Sequence, residues 1–337
     1  MNPPLVSLIV DNYNYGRFLK RSLDSCLNQD YPNLEVIAVD DGSSDDSLEI
    51  LKSYESRIPV FHTKRCGQTG ALNLSFEHCH GSLVLFLDAD DYLLPHAVEE
   101  FTKAWRPDTS VLHYYLMNVN PAGEVIPQHP IVPRCLSGES VMEALHDYGY
   151  YTWSPQSGCV FDAKILKKLF PLPVDHWLSA DAHLSRLCPF FGERTLLPKV
   201  LACKTTHDAN FSPDYHGFEE SFSKKILPYR VSKHAVSIRF FLKACAERGF
   251  AVNPNMWRRS SFFLFCGLAC LKLWPKFYPR EAAGDFPLVQ CLIGIFEDYR
   301  LRPRARLRRA ATVLLVYATP GWILRALYAR FPLVYKV

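Results

Sequence analysis

Several common sequence signatures are missing from this 337-residue chain. No Gly-x-Gly-x-x-Gly segment follows the first predicted strand, which argues against a dinucleotide-binding dehydrogenase, and no Walker-type loop is present to cradle phosphates. The eleven cysteines are an odd number without paired spacing, which argues for reduced thiols in a cytoplasm and against a disulfide framework. Cys266 and Cys270 lie in an apolar run without the further ligands that a tetrahedral zinc site requires.

The chain also lacks long apolar runs. Residues 260–274 and 310–324 are mostly apolar, but both runs are shorter than the roughly 20 residues of a membrane-spanning helix. The N-terminus has no basic region, so we expect no secretory signal. Six arginines between residues 300 and 309 precede the second run, and basic residues beside apolar helices suit an interfacial position on anionic lipid. We therefore expect a cytoplasmic protein, peripheral at the inner face of the cytoplasmic membrane. The alternative is that these helices pack on the rest of the chain or on another subunit of a homo-oligomer.

The net positive charge of the chain comes from its C-terminal end. Residues 255–337 carry 14 basic and 4 acidic side chains, which leaves 24 basic and 30 acidic side chains for the first 254 residues. A nucleic-acid-binding protein needs a basic footprint. The acidic front of the chain therefore excludes nucleic acid as a partner.

Strand and helix patterns alternate over the first hundred residues. Four short apolar strands are predicted, at residues 5–10, 34–39, 60–62 and 83–87. Apolar residues at helical spacing fill the segments between them, and repeated strand–helix units predict a parallel sheet with helices on both faces. After Pro107 the pattern loosens. Helices are predicted at about 138–147 and 181–187, and beyond about residue 220 the chain is mostly helical.

Polar clusters follow three of these strands directly. They are Asp11-Asn12-Tyr13-Asn14, Asp40-Asp41-Gly42-Ser43-Ser44 and Asp88-Ala89-Asp90-Asp91. The ends of parallel strands face one crevice, where doubly wound folds bind ligands. So many carboxylates bind an anionic ligand only with a divalent cation between them, because like charges repel. The alternative for the last cluster is a solvated turn in which Asp91 caps the next helix.

Five ordered motifs over residues 5–95 resemble the N-terminal half of family 2 glycosyltransferases of the GT-A fold. The motifs are Val6-Ser7-Leu8-Ile9-Val10 with Tyr13-Asn14, Gln29-Asp30-Tyr31-Pro32-Asn33-Leu34-Glu35-Val36, Asp40-Asp41-Gly42-Ser43-Ser44-Asp45, Lys64-Arg65-Cys66-Gly67-Gln68-Thr69-Gly70-Ala71-Leu72-Asn73, and Phe86-Leu87-Asp88-Ala89-Asp90-Asp91. A thinner likeness continues to about residue 212. The resemblance implies an α/β GT-A fold, with a Rossmann-like nucleotide-binding half and a mixed central sheet, followed by a helical C-terminal region.

The resemblance also implies a donor site. The loop of Asp11 and Tyr13 would border the nucleobase, with the Tyr13 ring stacking on it. Asp40 or Asp41 would hydrogen-bond to the base or ribose, and Asp41 is the expected base contact. A carboxylate at position 11 departs from the family, where a proline or threonine is common. It would select a base with an N–H donor or point to solvent. The other donor-binding residues implied are Gly70, Ala71, Asn73, Asp88, Ala89 and Gly158.

The metal, catalytic and acceptor roles follow from the same resemblance. Asp90 would be the principal ligand of a divalent cation, Mn²⁺ or Mg²⁺, and His207 in a late His-x-x-Asn segment would complete its shell. Asp181 takes the place of the general base, although the glutamate that precedes this base in relatives is replaced by Ala180. The candidate acceptor-site residues are Trp153, His176 and Trp177.

The sequence thus predicts three regions: residues 1–105 as the nucleotide-sugar-binding half, 106–220 as the acceptor-binding half and 221–337 as the basic helical region. The expected reaction is transfer of a sugar, with inversion, from a nucleoside diphosphate donor, a UDP-sugar, to a hydroxyl of a glycan or lipid-linked acceptor. A sugar-1-phosphate nucleotidyltransferase is one alternative, although the glycine- and arginine-rich loop that it needs is missing. A sugar-nucleotide-binding or scaffold protein that has lost catalysis is the other.

Overall fold

The computed structural model describes residues 3–126, 130–131, 138–175, 178–208, 210 and 226–254, with seven further residues between 307 and 318. The contacts divide the chain into two compact units. The first comprises residues 1–142 and 151–208, and the second comprises residues 143–150 and 209–337. The predicted division near residues 105 and 220 stays a prediction.

The first unit contains one eight-stranded sheet. Its strands are β1 (Val6–Asn12), β2 (Leu34–Asp40), β3 (Val60–His62), β4 (Leu83–Asp88), β5 (Tyr92–Leu93), β6 (Thr109–Val119), β7 (Cys159–Asp162) and β8 (Glu193–Thr205). The helices of the described residues are α1 (Gly16–Leu27), α2 (Ser47–Lys52), α3 (Gln68–Glu77), α4 (Ala97–Ala104), α5 (Gly138–Tyr148), α6 (Ala163–Leu169), α7 (Ala180–Leu187) and α8 (Ile226–Arg248). Two 3₁₀ turns lie at Gln156–Gly158 and Cys188–Phe190.

The sheet is mixed, in the strand order β3-β2-β1-β4-β7-β6-β8-β5. Strands β1 to β4 pair in parallel, as expected of the strand–helix repeats. Strand β7 runs antiparallel to both of its neighbours, β4 and β6, and β5 runs antiparallel to β8. The simple parallel sheet expected from the first hundred residues is therefore only one half of the observed sheet, and the mixed sheet implied by the family resemblance is confirmed.

Apolar side chains at the predicted spacing form the core around β1 and β4. Phe18, Leu19, Leu23 and Cys26 of α1 are buried at helical spacing, and they pack over strands whose side chains are buried on both faces. Such continuous burial is typical of parallel strands covered by helices. The helix ends at Leu27.

Local turn chemistry sets where two of the later helices begin. Helix α3 starts after Gly67, whose φ of +79° is a left-handed conformation that glycine adopts without steric cost. Helix α6 starts after Asp162, whose side chain accepts hydrogen bonds from the Lys164 and Ile165 amides as an N-cap.

No helix among the described residues has both the length and the apolar character needed to cross a membrane. The six arginines at residues 300–309 and the apolar run at 260–274 lie outside the described residues. Of the second run, six residues are described, and each is helical.

Candidate active site

The carboxyl ends of β1, β2 and β4 meet at one edge of the sheet. Asp11 at the end of β1 lies beside Asp88 at the end of β4, and Asn12 lies beside Asp40 at the end of β2. The three polar clusters singled out in the sequence therefore share one edge, where open α/β sheets bind ligands.

Three carboxylates converge directly after β4. Ligand oxygens of Asp88, Asp90 and Asp91 lie within 4.8 Å of one another, and no second group of this kind occurs in the described part of the chain. Asp90 and Asp91 are buried, and Asp88 is half-buried. Carboxylate oxygens, with an imidazole nearby, are a donor set that suits Mn²⁺ or Mg²⁺. The residues present therefore fit a divalent cation.

Asp91 is held by groups from the later part of the chain. Its Oδ2 accepts a hydrogen bond of 2.6 Å from the Ser157 hydroxyl, and its Oδ1 accepts one of 2.9 Å from the Thr205 amide. The Lys204 ammonium lies 3.7 Å from the same carboxylate. Helix α4 begins after His96 without a side-chain cap, so the alternative role of Asp91 as a helix cap is wrong.

His207 contacts Asp90, the other residue predicted to bind the cation. The Nε2 atom of His207 lies 3.0 Å from Asp90 Oδ2, and the ring stacks on Phe18 with centroids 4.6 Å apart. Its Nδ1 lies 3.1 Å from Nη2 of Arg17. Arginine only donates, so Nδ1 accepts this hydrogen bond and the Nε2 proton is directed at Asp90. A cation bound by Nε2 would take the place of that proton.

Two glutamine amides bridge Asp11 and Asp88. Nε2 of Gln156 lies 2.7 Å from Asp11 Oδ1 and 2.8 Å from Asp88 Oδ1. Nε2 of Gln68 lies 3.2 Å from Asp11 and 3.4 Å from Asp88. Asp11 therefore does not simply point to solvent. The buried Oε1 of Gln156 has no hydrogen-bond partner among the described residues. Sequence analysis missed Gln156, whose contacts join residues that are 145 and 68 positions apart.

Burial and mutual repulsion raise the pKa values of this cluster. Burial raises the pKa of Asp11 to about 7, although the two glutamine amides oppose the shift. Burial and the neighbouring charge of Asp11 raise the pKa of Asp88 well above its usual range. Burial raises the pKa of Asp91 to about 6, while Lys204 acts in the opposite direction. Without a cation, the crevice therefore retains protons near neutral pH.

Asp40 organises the loops rather than facing outward. Its carboxylate is fully buried and accepts hydrogen bonds from the side chains of Asn12 and Ser43 and from the amides of Gly42 and Ser43. These contacts tie the end of β1 to the turn after β2. A role for Asp40 in binding the base or ribose stays a prediction, and its present contacts already explain its position.

Asp41 and Tyr13 border the loop at residues 63–67. Asp41 accepts hydrogen bonds from the Thr63 hydroxyl and from the Cys66 and Gly67 amides. The half-buried Tyr13 ring lies 5.3 Å from the guanidinium carbon of Arg65. The base contacts that were predicted for Asp41 and Tyr13 stay predictions. Arg65 is a further residue on this side of the crevice.

The small residues that were predicted to bind the donor have packing reasons for their size. A Cβ atom on Gly70 would lie 2.5 Å from the Cys66 sulfur, and one on Gly158 would lie 2.5 Å from a Leu116 methyl carbon. Ala71 and Ala89 are buried. The side-chain amide of Asn73 hydrogen-bonds to both backbone groups of Leu172. Donor contacts by these residues stay predictions.

The acceptor side is described in part. Trp153 is half-buried, with the Arg186 guanidinium 5.0 Å from its ring. His176 and Trp177 lie outside the described residues.

Asp181 is half-buried in the first turn of α7 and accepts hydrogen bonds from the Ser179 hydroxyl and the Ala182 amide. Burial, and next the charge of Asp181, raise the pKa of the Cys159 thiol. Cys159 directly follows the turn that holds the acidic cluster.

Comparison with known proteins shows which family the first part of the chain matches. The model described as Glycosyl transferase family 2 matches residues 7–140, which include all of the polar clusters after β1, β2 and β4. Residues 7–140 belong to glycosyl transferase family 2. The prediction of this family from five motifs is confirmed.

Relatives of the family 2 domain carry names of the same kind. An uncharacterized glycosyltransferase of Nostoc sp. is 30% identical over 212 residues, which cover 61% of this chain and 66% of that protein. A hyaluronan synthase of Pasteurella multocida is 37% identical over 222 residues, which cover 60% of this chain and 22% of that protein. The chain thus spans less than two thirds of the length of these relatives.

Solved structures share the fold at low sequence identity. S. aureus TarS 1–349, in complex with UDP-GlcNAc, superposes with a TM-score of 0.58 at 18% identity, over 93% of this chain and 91% of that one. A mannosyltransferase from Pyrobaculum calidifontis, in complex with GDP-Man and Mn²⁺, gives a TM-score of 0.51 at 18% identity, over 98% and 85% of the two chains. The GT-A fold is therefore confirmed.

The raised pKa values predict how the stability of the metal-free protein depends on pH. Between the usual pKa near 4 and the raised values, the folded state binds more protons than the unfolded chain, so stability falls as pH rises from 5 to 8. Asp88→Asn removes one repelling charge and should increase the free energy of unfolding at pH 8 by about 1–3 kcal/mol. Urea unfolding in the presence of a chelator measures both effects.

Asp108→Asn, at an exposed carboxylate, is the matched control for this experiment and should change stability by less than about 0.5 kcal/mol. A metal-free Asp88→Asn variant that is less stable than the wild type at pH 8 would contradict the description of the cluster as mutually repelling.

Proposed function

We propose that this chain is a GT-A glycosyltransferase that transfers a sugar, with inversion, from a nucleoside diphosphate donor to a hydroxyl of a glycan or lipid-linked acceptor. The observation that carries the proposal is the convergence of Asp88, Asp90 and Asp91 at the ends of the parallel strands, with His207 against Asp90. The family match of residues 7–140 supports the reaction class. Donor identity, inversion and metal dependence are parts of the proposal.

Asp90 and His207 would hold the divalent cation, and Asp88 would contact ribose or sugar hydroxyls. When bound, the cation neutralises charge on the diphosphate that leaves. A UDP-sugar is the donor we propose. The two similar structures were solved with UDP-GlcNAc and with GDP-Man and Mn²⁺, so GDP is the competing nucleotide. Tyr13 and Asp41 would contact the base, since they directly follow β1 and β2, whose ends lie side by side.

Asp181 is the residue that we propose as general base. A base for a hydroxyl acceptor must remain ionised in a partly buried position close to the donor. Asp181 is half-buried at the start of α7, and its charge acts on Cys159, next to the 3₁₀ turn whose Gln156 and Ser157 hold the acidic cluster. It would deprotonate the acceptor hydroxyl as that hydroxyl attacks the anomeric carbon.

The substitution Asp181→Asn tests catalysis separately from binding. We expect it to lower the rate of transfer or donor hydrolysis by about 10²- to 10⁴-fold, because a positioned base contributes that much. The affinity for UDP in the presence of Mn²⁺ should change by less than about threefold. Rates follow from release of UDP, and affinities from calorimetry.

Asp30→Asn is a suitable control for this experiment, because Asp30 is 61% exposed and pairs only with His96 in the described structure. A wild-type protein that binds nucleotide but neither transfers nor hydrolyses any donor would favour the scaffold alternative, which Ala180 supports. Release of pyrophosphate from a nucleoside triphosphate and a sugar phosphate would favour the nucleotidyltransferase.

Membrane contact of the arginine-rich segment at residues 300–309 is a further part of the proposal. Clustered basic residues near apolar helices are attracted to anionic lipid, by roughly 1 kcal/mol for each charge. We expect the protein to sediment with vesicles that contain anionic lipid and to be released at high salt. Recovery of all the protein in the supernatant after ultracentrifugation of a detergent-free lysate would contradict this part.

A further inference from the structure

Arg17, which the sequence did not single out, lies beside the acidic cluster in the first turn of α1. Its Nη2 atom donates to His207 Nδ1 at 3.1 Å and to Asp208 Oδ1 at 3.1 Å. One imidazole ring therefore separates its guanidinium from Asp90, because the opposite nitrogen of His207 contacts that carboxylate. The side chain is 52% exposed, so solvent and any bound ligand have access to it.

The neighbouring cations are committed to structural contacts. The Lys204 side chain is only 8% exposed and faces Asp91. Arg21 donates to the Thr205 hydroxyl and to the Pro121 carbonyl oxygen, and it covers the Tyr92 ring at 4.5 Å. Arg17 differs from both because it combines exposure with direct contact to His207. Its partner Asp208 is 89% exposed, and such surface ion pairs contribute little to stability.

We propose that Arg17 binds the terminal phosphate of the donor diphosphate, an inference that rests on the proposed function. Three ionised carboxylates carry more negative charge than one divalent cation neutralises, so a diphosphate that enters this crevice needs a further positive group. A guanidinium offers five N–H donors in a planar fork that matches phosphate oxygens. In the described structure Arg17 uses Nη2 alone for side-chain acceptors, which leaves its other donors for the phosphate.

His207 links this role to the cation. If Nε2 of a neutral imidazole ligates a metal ion, the ring proton resides on Nδ1. Nδ1 then faces the guanidinium as a donor and no longer accepts its hydrogen bond. The Arg17–His207 hydrogen bond and ligation of a cation by Nε2 would therefore exclude each other, and the guanidinium would then be available to donate to a phosphate.

Calorimetric titration of the full chain in Mn²⁺ tests the proposal with UDP, UMP and uridine as probes, and with GDP, GMP and guanosine as a second set. Arg17→Ala should weaken binding of the diphosphate by roughly ten- to hundredfold, because charge-assisted hydrogen bonds are lost. Binding of the monophosphate and the nucleoside should change by less than about threefold. Arg17→Lys should recover part of the affinity, since a lysine keeps the charge and loses the fork.

Lys20→Ala is the matched control, because Lys20 is an exposed cation one turn further along α1 that pairs with Asp24. It should bind UDP like the wild type. Arg17→Ala protein that retains wild-type affinity for the diphosphate, or that loses diphosphate and nucleoside binding equally, would overturn the assignment of Arg17. Failure of the wild type to bind either nucleotide set would overturn the proposed function as well, so the two failures are distinguishable.

Discussion

Repulsion among buried carboxylates is the constraint on which the rest of the candidate site depends. Asp11 and Asp88 end adjacent parallel strands, and Asp90 and Asp91 follow within three residues. Burial and like charge raise the pKa values of Asp11, Asp88 and Asp91. A protein that only needed stability would not gather these groups, because each ionised carboxylate in the cluster raises the free energy of the folded state. A cation is the simplest agent that relieves all of them together.

The later part of the first unit supplies the hydrogen-bond donors and the positive charge that partly offset the repulsion in this cluster. The reversal of β7 between β4 and β6 brings the turn before it, with Gln156 and Ser157, against the end of β4. Strand β8 ends with Lys204 and Thr205 on Asp91, and His207 follows on Asp90. The mixed sheet is therefore the means by which donors from 66 to 117 residues further along the chain reach the carboxylates.

How much the sequence revealed depended on the range of the interactions involved. Strands β1, β2 and β4 were predicted within one or two residues because each is a local apolar run. Strands β6 and β8 were not delimited. Strand β6 carries buried polar residues such as His113 and Asn118, and most positions of β8 before its buried end are exposed or half-buried. Their pairing with each other is a long-range property that no local pattern encodes.

The same distinction holds for the site. Asp90 and His207 were predicted as a pair from the order of the family motifs, and the structure brings them to 3.0 Å. Gln156 and Arg17 carry no motif and were missed, because their significance lies in partners that are distant in sequence. The packing reasons for Gly70 and Gly158 depend on Cys66 and Leu116. These packing reasons could not be predicted from the sequence, because they depend on which side chains lie next to each glycine in the fold.

The central claim is that the Asp88–Asp91 cluster holds a divalent cation against the diphosphate of a nucleotide sugar. Thermal unfolding of the wild type and of Asp90→Asn, with a panel of UDP- and GDP-sugars and with or without Mn²⁺, tests it most directly. A ligand at a concentration about a hundredfold above its Kd stabilises the folded protein by about 2.7 kcal/mol, which raises Tm by several degrees. For the wild type, the account predicts a shift with nucleotide sugar that requires Mn²⁺ and exceeds the shift with Mn²⁺ alone, and it predicts loss of this shift in Asp90→Asn. A wild type without a metal-dependent shift for any nucleotide sugar, or an Asp90→Asn variant with the full shift, would contradict it.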